Sequence, residues 1–125
     1  MFLNHYKGKK VLITGHTGFK GSWLTLWLHK LKAEIAGYSI DIPTNPSLFD
    51  CLNIEEDIEH NIGDILDIDS LSKAFDNFQP DIVFHLAAQP IVSESIKNPI
   101  NTYKTNIIGS ANVLECIRQS NSVKS

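Results

Sequence analysis

A loop with three glycines is the feature that most constrains how this chain can fold. Residues 14–21 have the sequence TGHTGFKG and stand between an apolar run (residues 11–13) and an apolar pattern with helical spacing. Glycines at such a junction let the backbone turn sharply and approach a ligand closely, and the following helix start suits a phosphate. The pattern therefore predicts a strand, a helix and, between them, a phosphate-binding loop formed by Gly15, His16, Thr17, Gly18, Phe19, Lys20 and Gly21.

Strands and helices alternate along the rest of the chain. Periodicity and breaker residues predict strands at 10–14, 33–39, 58–65 and 81–86. They predict helices at 19–31, 47–52, from Asp67 to just before Pro80, and from Pro99 to residue 117. The alternation predicts one α/β domain over residues 1–125, a three-layer Rossmann-type doubly wound parallel sheet with strand order 3-2-1-4. In the first helix, Trp23 and Trp27 are expected in the core.

Acidic residues near the ends of the second and third strands extend the predicted site. A ligand in such a sheet binds beyond the carboxyl ends of the strands, where residues 15–21 and 87–90 are expected to meet. Asp41 could accept hydrogen bonds from an adenosine ribose and would repel a 2′-phosphate, which favours NAD over NADP; a solvated turn before Pro43 is the alternative. Asp64 could meet an adenine or cap a helix, and His16 could touch the ligand or be solvated.

Composition narrows the class of protein. The chain has 125 residues, a net charge of −3 and a single arginine, Arg118, so no basic surface for nucleic acid is expected. No apolar run approaches the length of a membrane span, and a cytoplasmic location is the default expectation. Cys51 and Cys116 are interpreted as reduced thiols, no metal-binding cluster is expected, and His85 is interpreted as a packed histidine.

Several segments together resemble the extended short-chain dehydrogenase/reductase family, which includes nucleotide-sugar epimerases and dehydratases. They are the glycine loop, GDI at 63–65, HLAAQP at 85–90 and TNIIGS at 105–110. The stretches FKGSW at 19–23 and NPSLF at 45–49, with the pair Gln89 and Pro90, are similar to the CDP-glucose 4,6-dehydratase group of that family. The resemblance covers about residues 8–118.

The resemblance implies an NAD cofactor and assigns residues to it. The amides of Phe19 and Lys20 would hold the pyrophosphate, and Asp64 and Ile65 would contact the adenine. The remaining assigned residues would lie on the nicotinamide side of the pocket: Leu86, Ala87, Ala88 and Gln89 after the fourth strand, and Thr105 and Asn106 on the long helix. That helix, residues 99–117, would pack against its copy in a homodimer.

The resemblance also implies a reaction that the chain alone would not complete. The parent enzyme would move a hydride from C4 of CDP-glucose to NAD, eliminate water across C5–C6 and return the hydride to C6. Its Tyr-x-x-x-Lys pair would lie beyond residue 125, so no catalytic residue is assigned here. Tyr6 and Lys10 have that spacing, but Tyr6 precedes the first predicted strand and Lys10 begins it, far from the nicotinamide. A free-standing dinucleotide-binding or regulatory module, and part of another nucleotide-sugar epimerase or reductase, are the alternatives.

Overall fold

A four-stranded parallel sheet forms the centre of the computed structural model, which describes residues 4–125. Its strands are β1 Lys10–Thr14, β2 Glu34–Ser39, β3 Glu59–Ile62 and β4 Ile82–His85. The strand order is β3-β2-β1-β4, and Val11 of β1 pairs with Ile35 of β2 and Ile82 of β4. The predicted fold class and strand order are therefore confirmed, although β3 is shorter than predicted.

Helices cover both faces of the sheet. They are α1 Phe19–Lys30, α2 Leu48–Leu52, α3 Ile68–Phe78, α4 Val92–Lys97, α5 Pro99–Tyr103 and α6 Ser110–Gln119. A short 3-10 helix, Glu55–Asp57, precedes β3, and a π-helical turn, Lys104–Gly109, joins α5 to α6 without a break. Side chains of a strand alternate between faces, so Leu12 packs on the α3 and α6 side, whereas Val11 and Ile13 pack on the α1 side.

Two helices begin at the capping residues that the sequence offers. The Ser47 side chain accepts a hydrogen bond from the Asp50 amide at 3.0 Å and caps α2. Asp67 accepts one from the Ser70 amide at 3.1 Å and caps α3. Each cap satisfies an amide that the helix cannot pair internally, and therefore fixes where the helix starts.

The tryptophans of α1 contradict the core assignment made from their spacing. Trp23 is 50% exposed and Trp27 is 60% exposed. The helix instead buries small and polar residues together with one leucine: Gly21, Ser22, Thr25 and Leu28. The first turn of α1 lies so close to the glycine loop that a Cβ at Gly21 would run into the Gly15 carbonyl, which leaves no space there for large side chains.

The long C-terminal helix also differs from the prediction. It begins at Pro99 as predicted, but a π-helical turn interrupts it and it continues to Gln119. The short helix α4 before it was not predicted. Beyond α6, the chain turns back along the start of β4: the Lys124 amide donates to the Asp81 carbonyl at 2.8 Å, and the Val83 amide donates to the Ser125 carbonyl at 2.9 Å.

Candidate functional site

A cavity of about 650 Å³ opens beyond the carboxyl ends of β1, β2 and β4. It lies at the switch point of the sheet, where helices on opposite faces leave a crevice. Thirteen of the sixteen residues predicted for the site line it: Gly15, Thr17, Gly18, Phe19, Lys20, Gly21, Asp41, Asp64, Ile65, Leu86, Ala87, Ala88 and Thr105. The structure thus brings together residues that lie up to ninety positions apart in the sequence.

The cavity also has wall residues that the sequence analysis did not assign. They are Tyr38, Ser39, Ile40, Pro43, Gly63, Leu66 and Asn101, and Pro90, which was expected at the crevice without a role, lines it as well. Most of them stand at or just after the ends of β2 and β3, or next to an assigned residue. Position relative to a strand end was therefore the signal that could have identified most of them.

The glycine loop makes its closest approach to the segment that follows β4. Gly15 has a φ of +76°, a conformation that L side chains rarely adopt. A Cβ on Gly15 would stand 2.7 Å from the Ala87 amide nitrogen, closer than real Cβ atoms come. Only glycine therefore allows the two loops to meet at the floor of the cavity.

The start of α1 presents unpaired backbone donors to the cavity. Gly18 occupies the N-cap position without a capping side chain, and the first turn carries Lys20 and no acidic residue. The first amides of a helix have no intrahelical partner, and the helix dipole places partial positive charge there. Helices α2 and α3 are capped by their own side chains, whereas the start of α1 is open and lines the cavity, so it suits an external anion such as a pyrophosphate.

His16 does not line the cavity, and neither alternative considered for it, ligand contact or solvation, holds. Its side chain is fully buried, with Nδ1 2.9 Å from Ser39 Oγ and Nε2 2.6 Å from His60 Nδ1. The Phe49 ring stacks on His60 and meets His16 edge-on. Burial, reinforced by the neighbouring His60, lowers the pKa of His16 to about 3, so the imidazole is neutral and serves the packing beneath the loop.

Asp41 and Asp64 follow β2 and β3 on the cavity wall, and each lies in a segment held by a local hydrogen bond. The Thr17 hydroxyl donates to the backbone carbonyl of Asp41 at 2.5 Å. The side-chain carboxylate of Asp41 takes no part in this bond, and the residue is exposed. Asp64 Oδ1 accepts from the Leu66 amide at 2.9 Å and shapes the turn after β3. Since Asp67 is the cap of α3, the helix-capping alternative for Asp64 is excluded.

Gln89 and Asn106 face each other instead of lining the cavity. Asn106 Oδ1 accepts from the Gln89 amide at 2.8 Å, and Asn106 Nδ2 donates to the Gln89 carbonyl at 3.1 Å. The Gln89 side chain donates to the Thr102 hydroxyl at 3.0 Å. The two hydrogen bonds from Asn106 to one residue's backbone tie the loop after β4 to the π-helical turn, and Thr105 of that turn lies at the cavity wall.

His85 is more exposed than its interpretation as a packed histidine implied. It is the last residue of the edge strand β4, and its two ring nitrogens contact Thr14 and Ser110. Partial burial lowers the pKa of His85 below its ordinary value, which favours the neutral ring.

The Tyr6 and Lys10 pair lies away from the cavity. Lys10 is the first residue of β1, at the opposite end of the sheet, and its Nζ donates to the Phe78 carbonyl at 3.3 Å. Tyr6 packs against the apolar core on the α1 side. Within residues 4–125, no cluster of His, Cys, Asp or Glu could hold a metal ion, and no helix is long and apolar enough to cross a membrane.

Fold and cavity together define a Rossmann-type α/β domain with an anion-receptive helix start at its switch point. The sequence profile described as GDP-mannose 4,6 dehydratase matches residues 12–125. The chain belongs to that family.

Individual relatives are nucleotide-sugar enzymes. CDP-glucose 4,6-dehydratase of Salmonella typhimurium is 48% identical over 121 residues, covering 97% of this chain and 34% of that protein. UDP-glucose 4-epimerase of Mycoplasma genitalium is 32% identical, covering 86% of this chain and 32% of that protein. The chain thus spans about a third of the length of these curated relatives.

Solved structures agree in fold. The epimerase Mth375 of Methanothermobacter thermautotrophicus superposes with a TM-score of 0.84 at 36% identity, covering 97% of this chain and 34% of that one. The UDP-glucose 4-epimerase of Thermus thermophilus, a complex with NAD, superposes with a TM-score of 0.81 at 29% identity, covering 90% of this chain and 35% of that one.

Proposed function

We propose that these residues form the NAD-binding part of a cytoplasmic nucleotide-sugar dehydratase that converts CDP-glucose to CDP-4-keto-6-deoxyglucose. The observation that carries the proposal is the cavity itself, in which an uncapped helix start, two acidic turns and the loop after β4 converge. The choice of CDP-glucose among nucleotide sugars is supported by the 48% identity to the Salmonella dehydratase.

The residues around the cavity support one orientation of a bound NAD. The amides of Phe19 and Lys20 would hold the pyrophosphate, because they stand at the open start of α1. Asp41 would accept the ribose hydroxyls and repel a 2′-phosphate, while Asp64 Oδ2 and Ile65 would meet the adenine. The residues after β4 (Leu86, Ala87 and Ala88) and Thr105 would border the nicotinamide ribose, with Gln89 and Asn106 supporting them from behind.

When bound, NAD would supply the hydride acceptor and donor for the reaction. The residues of this chain would bind the cofactor, orient it and keep water from one of its sides. The wall after β4 is made of apolar residues, Leu86, Ala87, Ala88 and Pro90, so it offers no side chain for proton transfer there. We therefore assign the acid–base steps to residues outside this segment and expect the 125-residue chain to be inactive on CDP-glucose by itself.

An exposed apolar stripe supports a homodimer. Along α5, the π-helical turn and α6, large side chains that are each at least 60% exposed recur every three or four residues or at twice that spacing: Ile100, Tyr103, Ile107 and Leu114. A stripe of this spacing and exposure suits the same stripe of a second copy, packed as a helical bundle.

Calorimetric titration of the purified chain tests the cofactor. We expect NAD to bind, NADP to bind more weakly, and Asp41→Asn to weaken NAD binding about tenfold because a charged hydrogen-bond acceptor is lost. Asp69→Asn, a matched change of an acidic residue in the first turn of α3, should leave the affinity unchanged. Equal affinity of the wild-type chain for NAD and NADP would contradict the role given to Asp41.

The substrate is tested on the native protein captured from its source cells, whose intact mass is measured first. A mass about three times that of this chain would identify the segment as one part of a longer enzyme, consistent with its 34% coverage of the relative. That enzyme should act on CDP-glucose in preference to UDP-glucose and GDP-mannose. A preference for another sugar nucleotide would favour an epimerase or reductase, and a mass equal to this chain would favour a free-standing dinucleotide-binding module.

A further inference from the structure

The Thr14 hydroxyl sits at the centre of three hydrogen bonds whose directions are fixed by chemistry. Thr14 Oγ1 is 3.2 Å from the Leu86 amide nitrogen, 3.2 Å from the Ala87 amide nitrogen and 2.7 Å from His85 Nδ1. A hydroxyl has two lone pairs and one proton. The two amides can only donate, and both approach the lone pairs of Oγ1, the Leu86 amide while also donating to the Thr14 carbonyl at 3.0 Å. This arrangement directs the Thr14 proton to His85 Nδ1.

The proton on His85 is thereby assigned to the other nitrogen. A neutral imidazole with an accepting Nδ1 carries its proton on Nε2. His85 Nε2 lies 2.9 Å from Ser110 Oγ and donates to it. The Ser110 hydroxyl in turn donates to the Asn106 carbonyl at 2.8 Å. One directional chain of hydrogen bonds therefore runs from the cavity wall through Thr14, His85 and Ser110 to the π-helical turn.

Both ends of this chain belong to the cavity. Leu86 and Ala87 line it, and the π-helical turn carries Thr105, which also lines it, and Asn106, which holds the Gln89 backbone. The backbone of Ala87 lies against the glycine loop, because its amide nitrogen would be only 2.7 Å from a Cβ on Gly15. A small shift of the segment after β4 would either press it against the glycine loop or open a gap there.

We propose that His85 is a positioning residue which, as the Nε2–H tautomer linking Thr14 to Ser110, sets the spacing between the loop after β4, the glycine loop and the π-helical turn. The inference rests on the proposed function for its consequence, that this spacing controls NAD affinity. The hydrogen-bond chain itself stands on the geometry alone. His85 touches no reacting atom in this scheme, and acts through Thr14 and Ser110.

The first arm of the test is nuclear magnetic resonance of the ¹⁵N-labelled chain near pH 7.5, without cofactor. We expect a pyridine-type resonance for Nδ1 of His85 and a pyrrole-type resonance for Nε2. In His85→Leu the amide resonances of Ala87 and Thr105 should both move, although these residues lie on different elements. The opposite tautomer, or shifts confined to the neighbours of residue 85 on β4, would overturn the proposal.

The second arm is NAD affinity in paired variants. His85→Leu should bind NAD about tenfold more weakly. His85→Asn should recover to within about threefold of wild type, because its Oδ1 can accept the Thr14 proton from nearly the position of Nδ1. His29→Leu, at the far end of α1, is the matched control and should change nothing. Equal losses in the leucine and asparagine variants would overturn the positioning role.

A third pair protects the test against misfolding. If His85→Leu does not fold, Thr14→Val, which lacks the hydroxyl, is compared with Thr14→Ser, which keeps it. We expect the serine variant to retain the His85 tautomer and the Ala87 resonance position that the valine variant loses. Identical behaviour of the two variants would refute the chain of hydrogen bonds. Should the wild-type chain bind no NAD, the proposed function fails, and the resonances alone still support or overturn the positioning role.

Discussion

The two faces of the sheet are packed by different means. On one face, α3 contributes three large apolar side chains, Leu71, Phe75 and Phe78, and the methyl group of Ala74 to the core. On the other face, the first two turns of α1 bury Gly21, Ser22 and Thr25 beside the glycine loop. Ser22 Oγ donates to the His16 carbonyl at 3.2 Å, and Thr25 Oγ1 donates to the Gly21 carbonyl at 2.8 Å.

The difference shows what determines burial on each face. Helix α3 is held to the sheet by apolar volume, so its hydrophobic spacing identifies its buried face correctly. Helix α1 is held close at its first turn by the loop that it serves, and only small residues with internally satisfied hydroxyls fit there. The spacing of hydrophobic residues therefore identifies the buried face of a helix that is packed by large apolar side chains. It gives the wrong buried face where the glycine loop holds the helix close to it and admits only small residues.

The largest effect is expected on the α3 face. Phe75→Ala should lower the free energy of unfolding by about 3 to 5 kcal/mol, because Phe75 is 3% exposed and its removal leaves a cavity. Urea unfolding followed by circular dichroism measures the change. A loss below about 1 kcal/mol would mean that this face is not packed by volume.

The next effect tests close approach on the α1 face. Gly21→Ala adds one methyl group in a helix, which ordinarily stabilises, yet here it should cost about 2 to 3 kcal/mol because the Cβ meets the Gly15 carbonyl. Gly18→Ala is the matched control, since its Cβ would meet only the Gly15 carbonyl oxygen at 3.3 Å. If both variants are equally stable, the close approach does not constrain α1. Urea unfolding followed by circular dichroism measures the stability of both variants.

The buried His16 predicts that the free energy of unfolding depends on pH. Its pKa is about 3 in the folded chain and 6.5 when unfolded, so the unfolded state binds more protons between these values. The contribution to stability is complete above pH 6.5 and is lost as the pH falls towards 3, and the loss reaches about 2 kcal/mol at pH 5. Unfolding free energies of wild type and His16→Gln are compared between about pH 7 and pH 5.

A flatter pH dependence in the His16→Gln variant is the expected result, and parallel curves would refute the assignment. Some dependence should remain, since the pKa of His85 is also lowered by partial burial. The carboxyl groups of Asp81 and Glu115 have lowered pKa values because they accept hydrogen bonds from Lys10 and Arg118, respectively. Their contribution is lost only as the pH falls below the ordinary carboxyl range, outside the measured window.

The smallest effect is expected at the exposed tryptophan of α1. Trp27→Ala should change the stability of the chain by no more than about 0.5 kcal/mol, because the side chain is 60% exposed. The comparison with Phe75→Ala is between the stability losses caused by removing a large aromatic side chain from α1 and from α3. Comparable losses would show that the α1 face is packed by volume after all.

Most of the fold followed from local sequence signals. The bounds of β1 were predicted to the residue, and the caps Ser47 and Asp67 and the helix start at Pro99 were readable as short-range patterns. The strand order followed from the handedness of crossover connections, which does not depend on the particular sequence. The glycine loop and the residues after β4 were placed at the cavity for the same reason.

The errors at His16, Gln89 and Asn106 share one physical cause, which is a partner distant in sequence. His16 is buried because His60, 44 residues away, bonds to it, and no local pattern announces that pairing. Asn106 and Gln89 were assigned to the pocket, but their mutual bonds occupy them. The π-helical turn leaves the apolar spacing of the long helix almost unchanged, so periodicity could not reveal it.

The central position of β1 has a consequence for the order in which the chain can fold during synthesis. This strand is made before both of its partners, Glu34 to Tyr38 on one side and Ile82 to His85 on the other. At roughly 5 to 20 residues added per second, the second edge of β1 stays unpaired for several seconds after the strand leaves the ribosome. The nascent chain therefore carries an open apolar strand until β4 emerges, and that interval is when a chaperone would be needed.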